Sequence, residues 1–478
     1  MTQSKYLFLP LLFAAVSSLF TQAAHCQEPG PKSLLPKSLI DFLETEQKRM
    51  SLSVDPDRLN MGKGNTQDQF YAPENGNVFD LPSYWVDESL THAFKGDGMN
   101  ESIRKIMFRD HNGVEQVRFF VHPESESLYA EFLKSATPAD SFHATATSSS
   151  RSLLVWKEGV TPFMAKVSLN KEVSAVVRTI PISEISRSIG THNTFQASRE
   201  LLPRGFEWMP ETLGVIPQGM DRGGMLIREF PEGIVEGKRS FVSLFALYGG
   251  GTAQGPPLLV EMINKSGQSP SEFVRTRIIE PFVRTWISTT IDHGFSMEAH
   301  AQNSLLELGE DGLPTGKYIF RDLGGFDVDF QYRAALKLPK ANSLPFINDF
   351  AKEYHQSELD GALLRSVYNH YAGGFVYNLD KFLPQWMEQG LIARETIGGL
   401  HFAKMLNDSI RTGYLHRGFK VSPDASGLQW IQGAALEAKR SVANAVTGHT
   451  KPQGLGWSIL NRLFPHSKWG CEGVLSDY

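Results

Sequence analysis

A strongly signalled helix that empties into a polar hairpin constrains this chain more than any other stretch. Ser269 is placed to cap the helix, Pro270 suits its first position, and Glu272 completes a capping box. Ile279, Phe282, Val283, Trp286, Ile287 and Thr290 then recur at helical spacing. Pro281 removes one backbone donor and predicts a kink; Gly294 supplies the stop after His293. The chain continues through Phe295 to Leu308, turns at Gly309 to Gly312, and returns through Lys317 to Phe320. Read as extended, Met297, Ala299, Ala301 and Asn303 share one face, and Glu298, His300 and Gln302 the other. The returning strand brings these polar residues near Asp322.

A core strand does not need three polar groups on one face. Two readings fit: a polar sheet edge with satisfied hydrogen bonds, or a site for a magnesium nucleotide. In the second, carboxylates and an amide oxygen are hard ligands for Mg²⁺. A histidine can donate to a phosphate or assist proton transfer. Gly324 and Gly325 permit close backbone approach.

Upstream, the pattern is strand-like at Val117–Val121 and Leu153–Trp156. In Phe163–Leu169, Phe163, Ala165, Val167 and Leu169 share a core face and Lys166 lies opposite. Val173–Ile180 reads as a similar strand, with Val173, Ala175 and Val177 on one face and Arg178 on the other. An isolated cation on a strand more often faces solvent. Two on one surface can also neutralise phosphate charge. Ser38–Met50 reads as a helix with Leu39, Phe42 and Leu43 on one side, and residues 55–77 as irregular.

Several classes are excluded. The chain has 478 residues, enough for roughly three domains. With 47 Lys and Arg against 52 Asp and Glu, no basic excess points to nucleic acid. Two cysteines cannot build a disulfide scaffold. HExxH, CxxC and GxSxG are absent, so a zinc enzyme or serine hydrolase has no support. Gly312–Lys317 has the wrong spacing for a P-loop and reads as a turn. His122, His293 and His370, taken singly, read as structural.

Residues 1–26 read as a secretory signal: Lys5, an apolar run from Tyr6 to Val16, then small and polar residues. Cleavage after Ala23 or Cys26 fits; a buried N-terminal helix is the competing reading. The mature chain is expected to be exported, periplasmic or secreted, and not transmembrane. If Cys26 is removed, Cys471 has no partner for an internal disulfide.

Glu298-Ala299-His300-Ala301-Gln302-Asn303 resembles the E-x-H-G-Q-N signature of the IucA/IucC family, siderophore synthetases that work without a nonribosomal template. Ala301 stands where glycine is usual. Arg321-Asp322 resembles the R-D that follows. Ser148–Ser152 resembles the family's S-S-x-R-T phosphate loop, with Ser152 for Thr. Lys166–Leu169 resembles its K-L-S-L strand, Ala175–Ile180 its T-S-A-x-R-T-I run, and Leu226–Glu229 a strand ending in R-E. Val121-His122-Pro123 is similar to the start of its H-P-W-Q segment, without the Trp and Gln. The pieces keep the family's order over roughly residues 115–440. The family's upstream H-P-x-H-P-x-x-K region has no clear counterpart here.

The resemblance implies an α+β fold of hand-like thumb, fingers and palm architecture, with antiparallel sheets and a helical C-terminal part. The signal would occupy 1–26, a thumb-like region 27–115, a fingers-like ATP-binding region 116–260, and a palm-like region with C-terminal helices 261–478. It implies ATP and Mg²⁺, a citrate-like carboxylate that is adenylated, and an amine or alcohol that displaces AMP. Carried over by position, Ser149, Arg151, Ser152, Lys166, Arg178, Gln302, Asn303 and Asp322 would hold the nucleotide. Glu298, Asn303 and Asp322 would hold the metal, and His300, Arg178 and Lys166 would serve catalysis. A homodimer and a cytoplasmic location are what the resemblance implies for assembly and compartment. Two other readings use the same residues. One is an exported nucleotidyl- or phosphotransferase, since a strand Lys, an Asn and a later Asp also occur in kinase-like sites. The other is a non-catalytic polycarboxylate- or siderophore-binding protein, with Arg151, Lys166 and Arg178 as an anion clamp.

Overall fold

The alternation of Phe163–Leu169 is realised in a strand, Val160–Val167, whose Phe163, Ala165 and Val167 are fully buried. A computed structural model describes residues 31–49, 69–173, 176–249, 255–341, 363–397 and 401–421. The expected signal, residues 1–26, and Cys471 lie outside the described residues. The molecule is α+β, with sheets built mainly from antiparallel pairs.

Val160–Val167 is the middle strand of a seven-stranded antiparallel sheet. On one side lie Ser152–Lys157, Phe142–Ser149 and Phe79–Leu81; on the other, Met225–Arg228, Glu211–Pro217 and Thr91–Lys95. The sheet thus draws its two outermost strands from before residue 115 and the rest from after it. Its apolar face packs on Phe119, Phe120 and Ile103. Lys166, on the other face, stands opposite Ser152 and Leu226.

The strand expected over Val173–Ile180 is not one strand. Glu172–Val173 pairs back on Val176–Val177 in a short antiparallel ladder, and Val177 is 43% exposed rather than in a core. The Leu169 amide donates to the Arg178 carbonyl at 3.0 Å, so the chain reverses here before Pro181 opens the helix Ile182–Ala197. Alternation in so short a window does not register a reversal. The turn leaves Arg178 buried.

The predicted helix runs as one rod, through Pro270–Val274, Arg275–Ile279, Glu280–Ile287 and Ser288–Asp292. The Ser269 hydroxyl accepts from the Glu272 amide at 3.4 Å. Pro281 does not end the rod. The turn before it is π-wound, and Pro281 falls in the first turn of the next α-helical stretch, where a missing donor costs little. Gly294 stops the helix at φ 69°. The Phe282 ring stacks on Tyr371 with centroids 3.6 Å apart, joining the rod to the C-terminal helices.

The rod delivers the chain to a four-stranded sheet. Its order is Phe206–Trp208, Pro314–Phe320, Ser304–Leu308 and Ser240–Ser243, and only the first pair is parallel. The predicted hairpin forms its middle. Beyond it lie the helical segments Leu363–Val376, Tyr377–Glu388 and His401–His416. No described helix is long and apolar enough to cross a membrane.

Candidate functional site

Where the seven-stranded sheet meets the hairpin end, one narrow cavity is lined by Ser148–Ser152, Lys166, Leu169, Arg178, Arg228, Gln302, Asn303, Arg321 and Asp322. It measures about 60 Å³, room for the phosphate end of a nucleotide rather than for all of it. Its wall holds five cations, Arg151, Lys166, Arg178, Arg228 and Arg321, against one carboxylate, Asp322.

The serine turn closes the Phe142–Ser149 and Ser152–Lys157 pair. An irregularity between Ala146 and Ser149 lets successive residues leave strict alternation. The Ser148 hydroxyl accepts from Gln302 Nε2 at 3.0 Å and from Arg321 at 2.9 Å. The Ser150 hydroxyl is buried and has no hydrogen-bond partner among the described residues. Such a group costs stability unless something pairs with it. Arg151 donates to the Arg178 carbonyl at 3.1 Å and forms no ion pair among the described residues. Its charge therefore remains available to a ligand.

Lys166 is committed. Its ammonium donates to Asp322 Oδ1 at 2.6 Å and to Glu184 Oε1 at 2.7 Å. Burial pushes the Lys166 pKa down, but Asp322 and Glu184 outweigh it and hold it above the usual value. For Asp322, burial alone would raise the pKa; Lys166 and Arg228 reverse that and hold it well below the carboxylate range. Glu184 is likewise lowered, burial being outweighed by Lys166 and Arg151. These charges are fixed at neutral pH. Arg228 is bound by Glu211 at 2.5 Å and lies 3.8 Å from Asp322. Asp322 itself adopts a left-handed backbone, φ 67°, uncommon for a residue with a side chain and several-fold enriched in Asp.

The segment expected to be extended is a strand only at Phe295–Ser296 and again from Ser304. Met297, Ala299 and Ala301 are fully buried, as their shared face predicts. Asn303 departs from that face. The His300 carbonyl accepts from the Asn303 and Ser304 amides at 3.0 and 2.9 Å, closing a turn. The turn sends both Gln302 and Asn303 to the cavity.

Eight expected nucleotide residues line one wall: Ser149, Arg151, Ser152, Lys166, Arg178, Gln302, Asn303 and Asp322. His300 and Glu298 stand behind it. His300 Nδ1 accepts from the Gln302 amide at 3.0 Å, and its ring lies 5.1 Å from Phe245. That bond makes Nδ1 the acceptor and leaves the neutral ring's proton on Nε2. Glu298 lies 3.5 Å from both His370 Nδ1 and the Asn303 amide nitrogen. A Cβ on Gly325 would come within 2.3 Å of the Glu298 carboxylate, so the glycine makes room for it. Of the expected metal set, Glu298 and Asn303 are neighbours, while Asp322 is held by Lys166. Among the described residues no three His, Cys, Asp or Glu side chains gather as a metal site.

Sequence pattern assigns no role to Ser150, Arg228 or Arg321, although all three fall inside the resembling runs. Strand alternation marks Arg228, on the face opposite Ile227. Glu46, Glu184 and Glu211, which bind the site's cations from outside the wall, carry no sequence signal at all.

No family model matches the chain. A stretch of 87 residues is 36% identical to an uncharacterized protein y4xN of Sinorhizobium fredii, covering 17% of this chain and 14% of that protein. Among solved structures, the petrobactin biosynthesis protein AsbB of Bacillus anthracis is similar with TM-score 0.55 at 18% identity. That match covers 76% of this chain and 64% of AsbB. The ATP-bound aerobactin synthetase IucA of Klebsiella pneumoniae gives 0.56 at 16% identity, over 82% of this chain and 74% of that one. The aerobactin synthetase IucC of the same organism gives 0.54 at 15%, over 82% and 74%. The chain thus spans slightly under two thirds of AsbB. The motif resemblance and the architecture agree: this chain has the fold of the IucA/IucC siderophore synthetases.

Proposed function

We propose that the protein is an ATP-dependent ligase of the siderophore-synthetase type, joining a citrate-like carboxylate to an amine or alcohol. In the first step a carboxylate oxygen attacks the α-phosphorus of ATP and the bond to pyrophosphate breaks. In the second, the nucleophile attacks the acyl carbon, the acyl–oxygen bond to AMP breaks, and the nucleophile's proton is lost. The observation that carries the reading is the convergence of five cations on one narrow cavity, in a fold shared with a synthetase solved with ATP.

In this proposal Arg151, with its uncommitted charge, and the Ser150 hydroxyl meet the phosphates. Lys166 and Arg178 stabilise charge that develops as pyrophosphate leaves. Mg²⁺ would offset phosphate charge when bound, with the neighbours Glu298 and Asn303 to hold it, Asp322 being committed to Lys166. His300 orients Gln302 and presents Nε2–H. In a hand-like enzyme residues 116–260 would serve as fingers, 261–478 as palm and 27–115 as thumb, with Phe79–Leu81 and Thr91–Lys95 of the thumb-like region edging the fingers' sheet. Export through residues 1–26 belongs to the proposal on sequence grounds, and a homodimer on the family resemblance alone.

The test is pyrophosphate release from Mg-ATP in the presence of polycarboxylates, with and without amines. Carboxylate-dependent release supports the ligase. A protein that binds Mg-ATP yet releases no pyrophosphate across a broad acid panel counts against it.

A further inference from the structure

The helix Lys37–Glu44 ends in a π-wound turn, Thr45–Arg49, far from the motif runs in sequence. It buries two polar side chains, Glu46 and Gln47. Glu46 is fully buried and forms a forked pair with Arg321, 2.8 Å from Oε2 to one guanidinium nitrogen and 3.3 Å from Oε1 to the other. The same Oε2 accepts from the Ser148 backbone amide at 3.3 Å. Arg321 also donates to the Ser148 hydroxyl at 2.9 Å and to the Gln302 carbonyl at 2.6 Å. Next door, Gln47 donates to the Thr145 hydroxyl at 2.9 Å and the Ala146 carbonyl at 2.6 Å.

We infer that Glu46 is a positioning residue for the cavity: one carboxylate ties the serine turn to the Arg321-Asp322 end of the hairpin. Arg321 is thereby a clamp held from behind, not a free ligand for phosphate. The turn that carries Ser150 and Arg151 is set against Gln302 and Asp322 by an element that does not line the cavity. The inference rests on the nucleotide reading of the cavity, but its geometry stands apart from it.

Geometry explains why a carboxylate is needed. Glu46 serves two clients, a guanidinium and a backbone amide, and an ionised carboxylate is acceptor at both oxygens. A glutamine offers one acceptor and turns a donor toward Arg321. Alanine leaves Arg321 buried without its counter-charge.

The test uses the full chain and two readouts. Amide hydrogen exchange of Ser148–Ser152 is measured without ligand, and Mg-ATP affinity by calorimetry. Glu46→Gln is expected to speed exchange of that turn and to weaken Mg-ATP, each by about tenfold, within the range found for residues sharing one network. Glu46→Gln/Arg321→Gln buries no lone charge, so it keeps the test open should the single variant fail to fold. It also removes the Arg321 bonds to the Ser148 hydroxyl and the Gln302 carbonyl, so it is expected to speed exchange of the turn at least as much as Glu46→Gln, and wild-type exchange in it overturns the inference. A purely structural Glu46 would lower the melting temperature and leave both readouts of the folded protein at wild-type values; that result overturns the inference. A wild-type chain that fails to bind Mg-ATP overturns the nucleotide reading instead, and the exchange readout alone then decides whether Glu46 holds the turn.

Discussion

Lys166 donates to Asp322 Oδ1 at 2.6 Å across 156 positions of sequence, joining the middle strand of the large sheet to the end of the hairpin. Lys166→Met would leave the half-buried Asp322 and Glu184 without their nearest cation. Breaking a fully buried pair from one side typically costs about 3–5 kcal/mol, and solvent access to both carboxylates lowers that to about 2 kcal/mol. A loss of that order in urea-unfolding free energy is expected, together with loss of Mg-ATP binding. A variant as stable as the wild type would show that the pair contributes little.

Arg151→Ala should separate binding from stability. Arg151 has no ion pair among the described residues and gives up one hydrogen bond, to the Arg178 carbonyl, so its removal should lower unfolding free energy by about 1 kcal/mol. Mg-ATP affinity should fall at least about tenfold, as for a lost charge-assisted hydrogen bond. Calorimetry beside chemical denaturation checks both halves; unchanged affinity would remove Arg151 from the phosphate site.

The orphaned Ser150 hydroxyl gives the opposite stability sign. Ser150→Ala deletes a buried group that has no partner among the described residues, so the ligand-free protein should melt at the same temperature or higher. Its gain in melting temperature on adding Mg-ATP should be smaller than the wild type's. An equal gain would mean that the hydroxyl does not meet the ligand.

Asp380 predicts a pH effect away from the cavity. Its carboxylate accepts from the Phe402 and Ala403 amides at 2.9 and 3.2 Å, capping the helix His401–His416. Burial nevertheless outweighs those bonds and pushes its pKa up to about 6, from 3.8. The folded state therefore holds this proton where the unfolded chain has lost it. Its contribution to stability is full below the unfolded pKa and is lost as pH rises through about 6. Asp380→Asn should flatten the stability profile between about pH 4 and 6 by a few kcal/mol. An unchanged slope in that window would refute the assignment.

Local pattern made much of this legible. Apolar alternation marks Val160–Val167, and capping chemistry with 3.6-residue spacing marks the rod from Pro270. Residue chemistry alone singles out Lys166, Arg178 and the polar run around Gln302, while the run around Ser149 joins them only through the family resemblance. Glu46, Glu184 and Glu211 were not legible. Each is a single carboxylate on an otherwise ordinary element, and its meaning lies in a cation far along the chain, 275 positions away for Glu46 and Arg321. The reversal between Glu172 and Val177 was hidden for a related reason: β-branched residues fit a strand and a tight ladder equally well.

The arrangement of the seven-stranded sheet bears on how the protein comes to exist. Thr91–Lys95 forms one edge and, among the described residues, pairs only with Glu211–Pro217. During synthesis that strand waits more than a hundred residues for its neighbour, its backbone groups bonded to water meanwhile. Pairings so distant in sequence must first overcome loop-closure entropy, which makes them slow and leaves strand edges open to other chains. The edge made early and closed late is thus where misassembly of this protein would begin.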